Sequence, residues 1–345
     1  MTDYNLSGAQ DSWKLGLQWK PSDGLMLRGT DSQDIRAPDV LELFNSASTT
    51  VAQDLFPYST APTQSRVTGL NVTVGNPQLQ PEIAHTVTVG IVLSPTWSSS
   101  WQSSVDYYHI NIADAIENTS TQGIVDGCHA GVQVDCSLIT LNGSPVTSTN
   151  GIDINSGSIV VTAPTENIGN ESTSGFDLQS TYSHPMGPGT LSAGVSANYL
   201  LTFEQPTSAS GCSSTELAGT IGGCLGFAAG YPRWSGNLSL QYATSQFSAY
   251  VREQIIGSGS ADPGAIVGVD ISRDMHVPVI EYTNLAFSYN LGFGGRGQIY
   301  LNVTNLLNKA PPVTATKATS WVNPTVFQLY DVLGRRFLLG YRLNL

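Results

Sequence analysis

Charge is scarce in this chain. Of its 345 residues only 12% are Asp, Glu, Lys or Arg, against roughly 25% in an average globular protein. The hydrophobic share is an ordinary 40%, so Gly, Ser, Thr, Asn and Gln stand where charge is missing. That mixture excludes a coiled coil and a charged disordered tail, and it suits a β protein with many turns. Long apolar runs are also lacking. None approaches the ~20 residues of a transmembrane helix. The uninterrupted runs are as short as Phe337-Leu338-Leu339, so a membrane role falls to strands. The opening Met1-Thr2-Asp3-Tyr4 has neither the basic nor the apolar region of a signal peptide. The chain is then either cytosolic or lacks its true N-terminus. No basic excess exists either: net charge is -12, and a nucleic-acid partner is excluded because phosphate binding needs a basic surface.

Cysteine and histidine are sparse and badly placed for chemistry. The four cysteines fall into two close pairs, Cys128 with Cys136 and Cys212 with Cys224, each among Gly, Ser or Asp in segments that read as loops. Such spacing predicts two local disulfides and an oxidising compartment. Free thiols or metal ligands are the alternative, but neither pair has C-x-x-C spacing or a convincing His set beside it. His85, His109, His129, His184 and His276 are scattered, and no H-E-x-x-H, G-x-S-x-G or phosphate-loop pattern occurs. Asp106 with Asp114, or Glu166 with Asp177, read as solvated rim carboxylates rather than as acid–base pairs. No catalytic, cofactor or metal site is expected.

What the chain has in abundance is period-two alternation. Trp13, Leu15, Leu17 and Trp19 alternate with Lys14, Gly16 and Gln18. Leu191, Ala193, Val195, Ala197, Tyr199, Leu201 and Phe203 alternate with Ser192, Gly194, Ser196, Asn198 and Thr202. Leu238, Leu240 and Tyr242, then Leu285 to Leu291, then Phe337, Leu339, Tyr341 and Leu343 follow the same rule. Val92, Leu200 and Leu338 are the exceptions on polar faces. Many stripes run about nine to fourteen residues, longer than a typical globular strand and long enough for a tilted strand to cross a bilayer.

The connections alternate in length. Short turns such as Pro21-Ser22-Asp23-Gly24, Ser94-Pro95-Thr96, Pro185 to Gly189, Ala243-Thr244-Ser245 and Gly292 to Gly297 separate long polar segments near 34–82, 113–165, 204–228, 258–278 and 308–330. That is the layout of an outer-membrane barrel with short periplasmic turns and long extracellular loops. Trp13, Trp19, Trp97, Trp101, Trp234 and Tyr182 gather at strand ends as interfacial girdles would. The fold class expected is all-β: an antiparallel up-and-down transmembrane β-barrel with about eleven strands present. An odd count puts the first and last strands in the same direction, so the chain reads as a partial barrel.

Several segments, in order, resemble one family. Ile35-Arg36-Ala37-Pro38 leading to Glu42-Leu43-Phe44 is similar to "F-R-A-P … E-L-F". Gly75-Asn76-Pro77-Gln78-Leu79-Gln80-Pro81-Glu82 resembles "G-N-P-x-L-x-P-E". Asp106-Tyr107-Tyr108-His109-Ile110 resembles "D-Y-Y-x-I", and Thr173-Ser174-Gly175-Phe176-Asp177 resembles "T-x-G-x-D". Pro232-Arg233-Trp234, Asn305-Leu306-Leu307-Asn308 and Tyr330-Asp331-Val332-Leu333-Gly334-Arg335-Arg336-Phe337 match later patterns. Together they resemble the barrel of the TonB-dependent outer-membrane receptors.

The resemblance implies that residues 1–345 are the C-terminal portion of a barrel of about 22 strands, without the family's signal peptide, transducer-contacting segment and plug. It further implies outer-membrane lipid around the barrel and energised uptake of a scarce small nutrient (an iron–siderophore, a cobalamin-like molecule or a carbohydrate). A TonB-type transducer would engage only through the missing N-terminal part. Ligand contacts would fall on loops 113–165 and 204–228. By alternation Arg336 and Arg342 face the lumen, where they are free to pair with plug carboxylates, and Gly16, Gly90, Gly194 and Gly340 leave room inside. A passive outer-membrane channel or adhesin, or a secreted soluble β protein, are the alternatives. The last requires the apolar stripes to meet across a core.

Overall fold

The computed structural model describes residues 2–4, 8–55, 67–146, 159–206, 215–222, 230–261, 276–291, 297–314 and 325–343. Eleven strands make one open antiparallel sheet: β1 Trp13–Ser22, β2 Leu25–Arg36, β3 Glu82–Leu93, β4 Trp101–Ala113, β5 Glu171–Met186, β6 Gly189–Glu204, β7 Trp234–Ala243, β8 Phe247–Ile256, β9 Ile280–Leu291, β10 Gly297–Thr304 and β11 Arg336–Leu343. Each pairs with its chain neighbours, and β1 and β11 are the free edges. The sheet is therefore an up-and-down meander that does not close. Among the described residues no helix is long and apolar enough to cross a membrane.

Connections at one end are tight, because local chemistry reverses the chain at once. β5 and β6 join through Gly187 at φ 59° and Pro188, and Met186 pairs with Gly189. Between β7 and β8, the Thr244 hydroxyl accepts from the Gln246 and Phe247 amides. The turn at 292–296 lies outside the described residues.

Register divides the sheet into two faces. Leu15, Leu17, Val89, Ile91, Val105, Leu178, Val195, Leu238, Leu240, Phe287, Leu301 and Leu339 share one face. Gln18, Thr30, Thr88, Ser104, Gln179, Ser196, Asn237, Tyr250, Asn284, Ser288, Gln298 and Asn302 share the other. Among the described residues nothing covers the apolar face: Leu15 is 70% and Leu17 73% exposed. A water-soluble sandwich would bury such a stripe against a second sheet, and an exposed apolar surface of this extent marks a partner or lipid. Rings stand at both ends of the apolar stripes. Trp19, Trp101, Tyr182, Tyr242, Phe247 and Tyr289 lie toward the tight turns, and Trp13, Tyr107, Phe176, Tyr199 and Trp234 toward the opposite end. Trp234 and Tyr242 are eight residues apart on β7, which is ~26 Å along a strand and roughly 20 Å in height at the tilt of a barrel strand.

The packed cores lie in the long connections instead. The connection after β4 carries helices α2 (Thr121–His129) and α3 (Gln133–Ser137), in which Ile124, Val125, Cys128 and Cys136 pack on Ile139, Ile159 and Val161. Its strand Ile159–Asn167 pairs in parallel with Val67–Val74 of the connection after β2, so two long loops share one small sheet. A second core joins the other loops: Ile221, Ile256, Val277, Ile280, Tyr282, Val326 and Tyr330.

Three expectations need correction. Cys128 and Cys136 sit on helices, not in irregular loop, although they do form a disulfide. Phe203 does not continue the apolar stripe of β6. Leu200 pairs with Gly175 and Thr202 with Ser174, leaving Leu201 as a β-bulge. One extra residue reverses every side chain beyond it, so Phe203 turns to the polar side, where it packs on Leu217 and lies 4.4 Å from the Tyr231 ring. Third, Asp106 and Asp177 are not rim carboxylates: they are direct partners on β4 and β5, well inside the sheet. Cys212 and Cys224 lie outside the described residues.

Candidate functional site

The polar face is the concave one. A concavity of about 790 Å³ is bounded by Lys14, Gly16, Gln18, Arg28, Asp106 and Asp177. A second of about 390 Å³ continues past Gln179, Ser196, Asn237, Tyr250 and Arg252. Along most of this wall, period-two alternation places amides and hydroxyls inward, and they bond across strands. Gln241 donates to Ser248 at 3.0 Å and Gln298 to Asn290 at 3.0 Å.

Three fixed charges meet at one point of the wall. Arg28 on β2 reaches over β3 to grip Asp106 on β4 through two bonds, Nε to Oδ1 at 2.7 Å and Nη2 to Oδ2 at 2.6 Å. β3 permits this because Gly90 lies between them, and a Cβ there would collide with the Asp106 carboxylate. Asp177 beside it accepts from Asn198 at 2.8 Å, which also donates to the Tyr108 hydroxyl at 3.2 Å. The ion pair is part-exposed, so its net worth is about 0–1 kcal/mol. Its chief effect is to neutralise the two charges it joins. Arg252 donates to Asn237 at 2.8 Å. The wall can hold a polar surface by many neutral hydrogen bonds. Among the described residues no group of three or more His, Cys, Asp or Glu could hold a metal ion.

Arg336 and Arg342 stand on this same polar face, opposite Thr304 and Gln298. Arg336 already has a carboxylate partner, Asp331 at 2.7 Å. The expected space at small residues is mostly occupied: the Tyr300 ring lies over Gly340 and the Ser239 hydroxyl beside Gly194, as Asp106 does at Gly90. Glycine here admits a cross-strand side chain, a use that no alternation count reveals.

At the long-loop rim the family-like motifs interlock. Asp39 caps helix α1 (Val40–Phe44), and Glu42 returns a bond to the Asp39 amide, a capping box. Glu42 and Glu82 both hold Arg36, at 2.8 and 2.6 Å. Gly75 and Asn76 donate to the Asn45 and Glu42 carbonyls, and Leu79 packs on Leu43 and Ile116. Asn167 bridges Gln80 and Asp114.

The last connection is pinned the same way. Asn305 is fully buried at φ 53°. Its side chain bonds the Lys309 backbone twice and the Asp331 carboxylate. Partial burial works against ionisation of Asp331, but bonds from Arg336, the Leu333 amide and Asn305 outweigh it and hold the carboxyl below its usual range. Burial, with Tyr282 nearby, pushes the Tyr330 hydroxyl up to about 12.

The Arg28–Asp106–Asp177 group went unrecognised in the sequence, since its pairing needs the register. The available signal was weak: Arg28 and Asp106 both fall on polar positions of their stripes.

Comparison with known proteins fits this architecture. The family model described as "TonB dependent receptor-like, beta-barrel" matches residues 2–306. No curated protein matches. Similar solved structures include a mutant ferric enterobactin receptor (PfeA) from Pseudomonas aeruginosa in complex with enterobactin (15% identity, TM-score 0.65, 99% of this chain and 41% of that one). The siderophore receptor PirA from Acinetobacter baumannii is similar as well (15%, 0.62, 99% and 42%). So is the FrpB iron transporter from Neisseria meningitidis (12%, 0.52, 96% and 39%). At such identities the likeness is one of fold, and this chain spans about two fifths of their length. With the family model matched over most of its residues, this chain belongs to the TonB-dependent receptor β-barrel family.

Proposed function

We propose that residues 1–345 are the C-terminal portion of the barrel of an outer-membrane receptor that takes up a scarce small nutrient. The observation that carries this reading is the two-faced sheet: an uncovered apolar face bounded by rings at both ends, backed by a concave polar face. In that reading the apolar face meets lipid, the tight turns face the periplasm and the loop cores face outward. The polar wall lines the passage. Uptake is energised by a TonB-type transducer acting through a part of the receptor beyond this chain. The nutrient is an iron–siderophore, a cobalamin-like molecule or a carbohydrate. Solved relatives named as siderophore receptors and an iron transporter favour the first.

The test uses the longest reading frame containing this chain, expressed in a Gram-negative outer membrane. Single cysteines at Leu238 and Ser196 are treated with a water-soluble maleimide. Labelling at Ser196 and protection at Leu238 is the expected result. Equal labelling overturns the membrane placement. Uptake of radioiron carried by a siderophore panel, with and without the transducer, then tests the cargo; energy-independent entry of every solute tested would support a passive channel instead.

A further inference from the structure

The long connections converge on one carboxylate. The short strand Ile116–Asn118, just after β4, pairs antiparallel with the end of Ile159–Asn167, and the register sets Glu117 directly opposite Glu166. Like charges facing each other across a ladder weaken it. Glu166 accepts from the Thr119 hydroxyl at 3.3 Å, a bond that leaves its charge in place. Other elements bring further charge. Glu171 at the start of β5, Glu82 at the start of β3 and Glu42 on α1 all act on Glu117, and Asp114 precedes it on its own segment. Arg36 at the end of β2 is the cation that acts on it, and Arg36 is committed to Glu82 at 2.6 Å and Glu42 at 2.8 Å. Glu171 accepts from the neutral Gln205 amide. Tyr231, on the lead-in to β7, also stands near Glu171 and Glu117. The ladder itself is a joint between connections. Ile116 packs with Leu43 and Leu79, and its amide donates to Glu82 at 2.7 Å. The Thr165 hydroxyl bonds the Asn118 side chain at 2.9 Å and the Val74 carbonyl at 3.1 Å.

We propose that Glu117 is a proton-operated latch between the connections after β2 and β4. Protonated, it no longer repels Glu166, Glu171 and Glu82, and the ladder between 116–118 and 165–167 tightens. Ionised, it loosens that ladder and with it the joint between the two connections. Burial, then Glu171 and Glu82, hold its carboxyl above the ordinary range, and its side chain keeps an exposed side through which protons exchange. The sign follows from the crowding. A packed ladder confines the charge among four other carboxylates, whereas a loosened one hydrates it, so the packed form binds the proton more tightly. The packed form is therefore favoured most fully below the ordinary carboxylate value of about 4.3. It loses that advantage as pH rises through the higher value of the packed form. Asp331 in the last connection has the opposite sign, since its carboxyl is held below its usual range and its bonds are lost in acid. The loop layer thus carries two pH responses, one at each end of the sheet.

The experiment is amide hydrogen exchange, read by mass spectrometry, on the longest reading frame containing this chain, purified in detergent. It is run at about pH 4.5 and about pH 7.5, with the intrinsic exchange rates divided out. Protection at 116–118 and 165–167 is expected to be about two- to fivefold greater at the lower pH, the range of a cross-strand pair. Glu117→Gln should show the acid level of protection at both pH values. Glu166→Gln should raise protection at the higher pH, because it removes the other half of the facing pair. Unchanged protection in β7 to β9 confirms that each variant is folded. Equal protection of the wild-type segment at the two pH values overturns the proposal without any variant, as does a full pH response surviving in Glu117→Gln. A matching gain in acid throughout β7 to β9 assigns the effect to the whole sheet and also overturns it. None of these outcomes depends on which face meets lipid, so failure of the membrane placement is separate and would appear as maleimide labelling at Leu238.

Discussion

A charge placed at Leu238 gives the sharpest test of which face meets lipid. Leu238 is the midpoint of β7, four residues from Trp234 and four from Tyr242, and it pairs with Val195 and Glu253 on the apolar face. Four residues are ~13 Å along the strand, so each ring level is about 10 Å away in height at a barrel strand's tilt. An arginine there cannot easily reach either interface. The cost at the midplane is about 2–4 kcal/mol for an unpaired arginine, or roughly 30- to 700-fold in the folded-to-unfolded ratio, and the Glu253 carboxylate directly across the ladder offsets part of it. Ser196 adjoins Val195 at the same height but faces the polar concavity with Gln179 and Asn237. Ser196→Arg should cost less than about 1 kcal/mol, since a surface charge change seldom exceeds that. Leu238→Ala supplies the correction for lost packing. Urea titration of vesicle-inserted protein, followed by tryptophan fluorescence, reads all three. If Leu238→Arg and Ser196→Arg destabilise equally, the apolar face does not lie in lipid.

Three further outcomes follow from the rim. A Cβ at Gly75 would stand 2.6 Å from the Asn45 nitrogen and 2.9 Å from the Leu43 carbonyl carbon. Gly75→Ala should therefore cost about 1–3 kcal/mol and raise amide exchange in helix α1 while β7 to β9 stay protected; unchanged exchange in α1 would refute it. The Cys128–Cys136 bridge closes a separation of eight residues, worth about 2–3 kcal/mol in chain entropy. Cys128→Ser/Cys136→Ser should thus expose the α2 and α3 core to protease without altering the sheet's circular dichroism. Because the Asp331 carboxyl is held below its ordinary range, its stabilisation is complete above the unfolded value of about 3.9. It is lost as pH falls through the lower folded value. Cleavage of the loop between β10 and β11 by an acid-active protease should rise in that window in wild type. Arg336→Gln should raise cleavage above it and weaken the pH dependence; a pH response identical to wild type argues against the pairing.

Much of this was legible before any coordinates because one physical rule governs most of the chain. A strand between lipid and a polar trough must alternate, so its position and its two faces are written residue by residue. About eleven strands are expected and the sheet has eleven, and the tight turns that the described residues cover fall where Pro, Gly and Ser punctuate the pattern. Illegible features were those that depend on pairing between distant segments. The bulge at Leu201 exists only relative to Ser174 and Gly175 across the ladder, and it reverses Phe203. Arg28 and Asp106 are unremarkable polar positions until the register of β2, β3 and β4 brings them together with Gly90 between. The parallel pairing of Val67–Val74 with Ile159–Asn167 joins loops that are separate in the chain. No local pattern announces such a contact.

Many of the residues that made the family recognisable stand at the strand ends, while Asp106, Tyr108 and Asp177 from the same motifs stand on the polar wall. Arg36, Asp39, Glu42, Gly75, Asn76, Leu79 and Glu82 tie the first long connection to the strand ends. Asn305, Asn308, Asp331 and Arg336 do the same for the last. These are places where a strand leaves the regular ladder and its backbone groups need new partners at once, so side chains of fixed length and charge are required there. The wall between them has no such demand. Any amide or hydroxyl that bonds its neighbour will serve, and the loops above it are free to carry whatever core supports them. The likeness to the solved structures, at 12–15% identity, is one of fold. On the proposed reading, a solute passing along the concave face would meet Lys14, Arg28, Asp106, Asp177, Arg252, Arg336 and Arg342 among its charges.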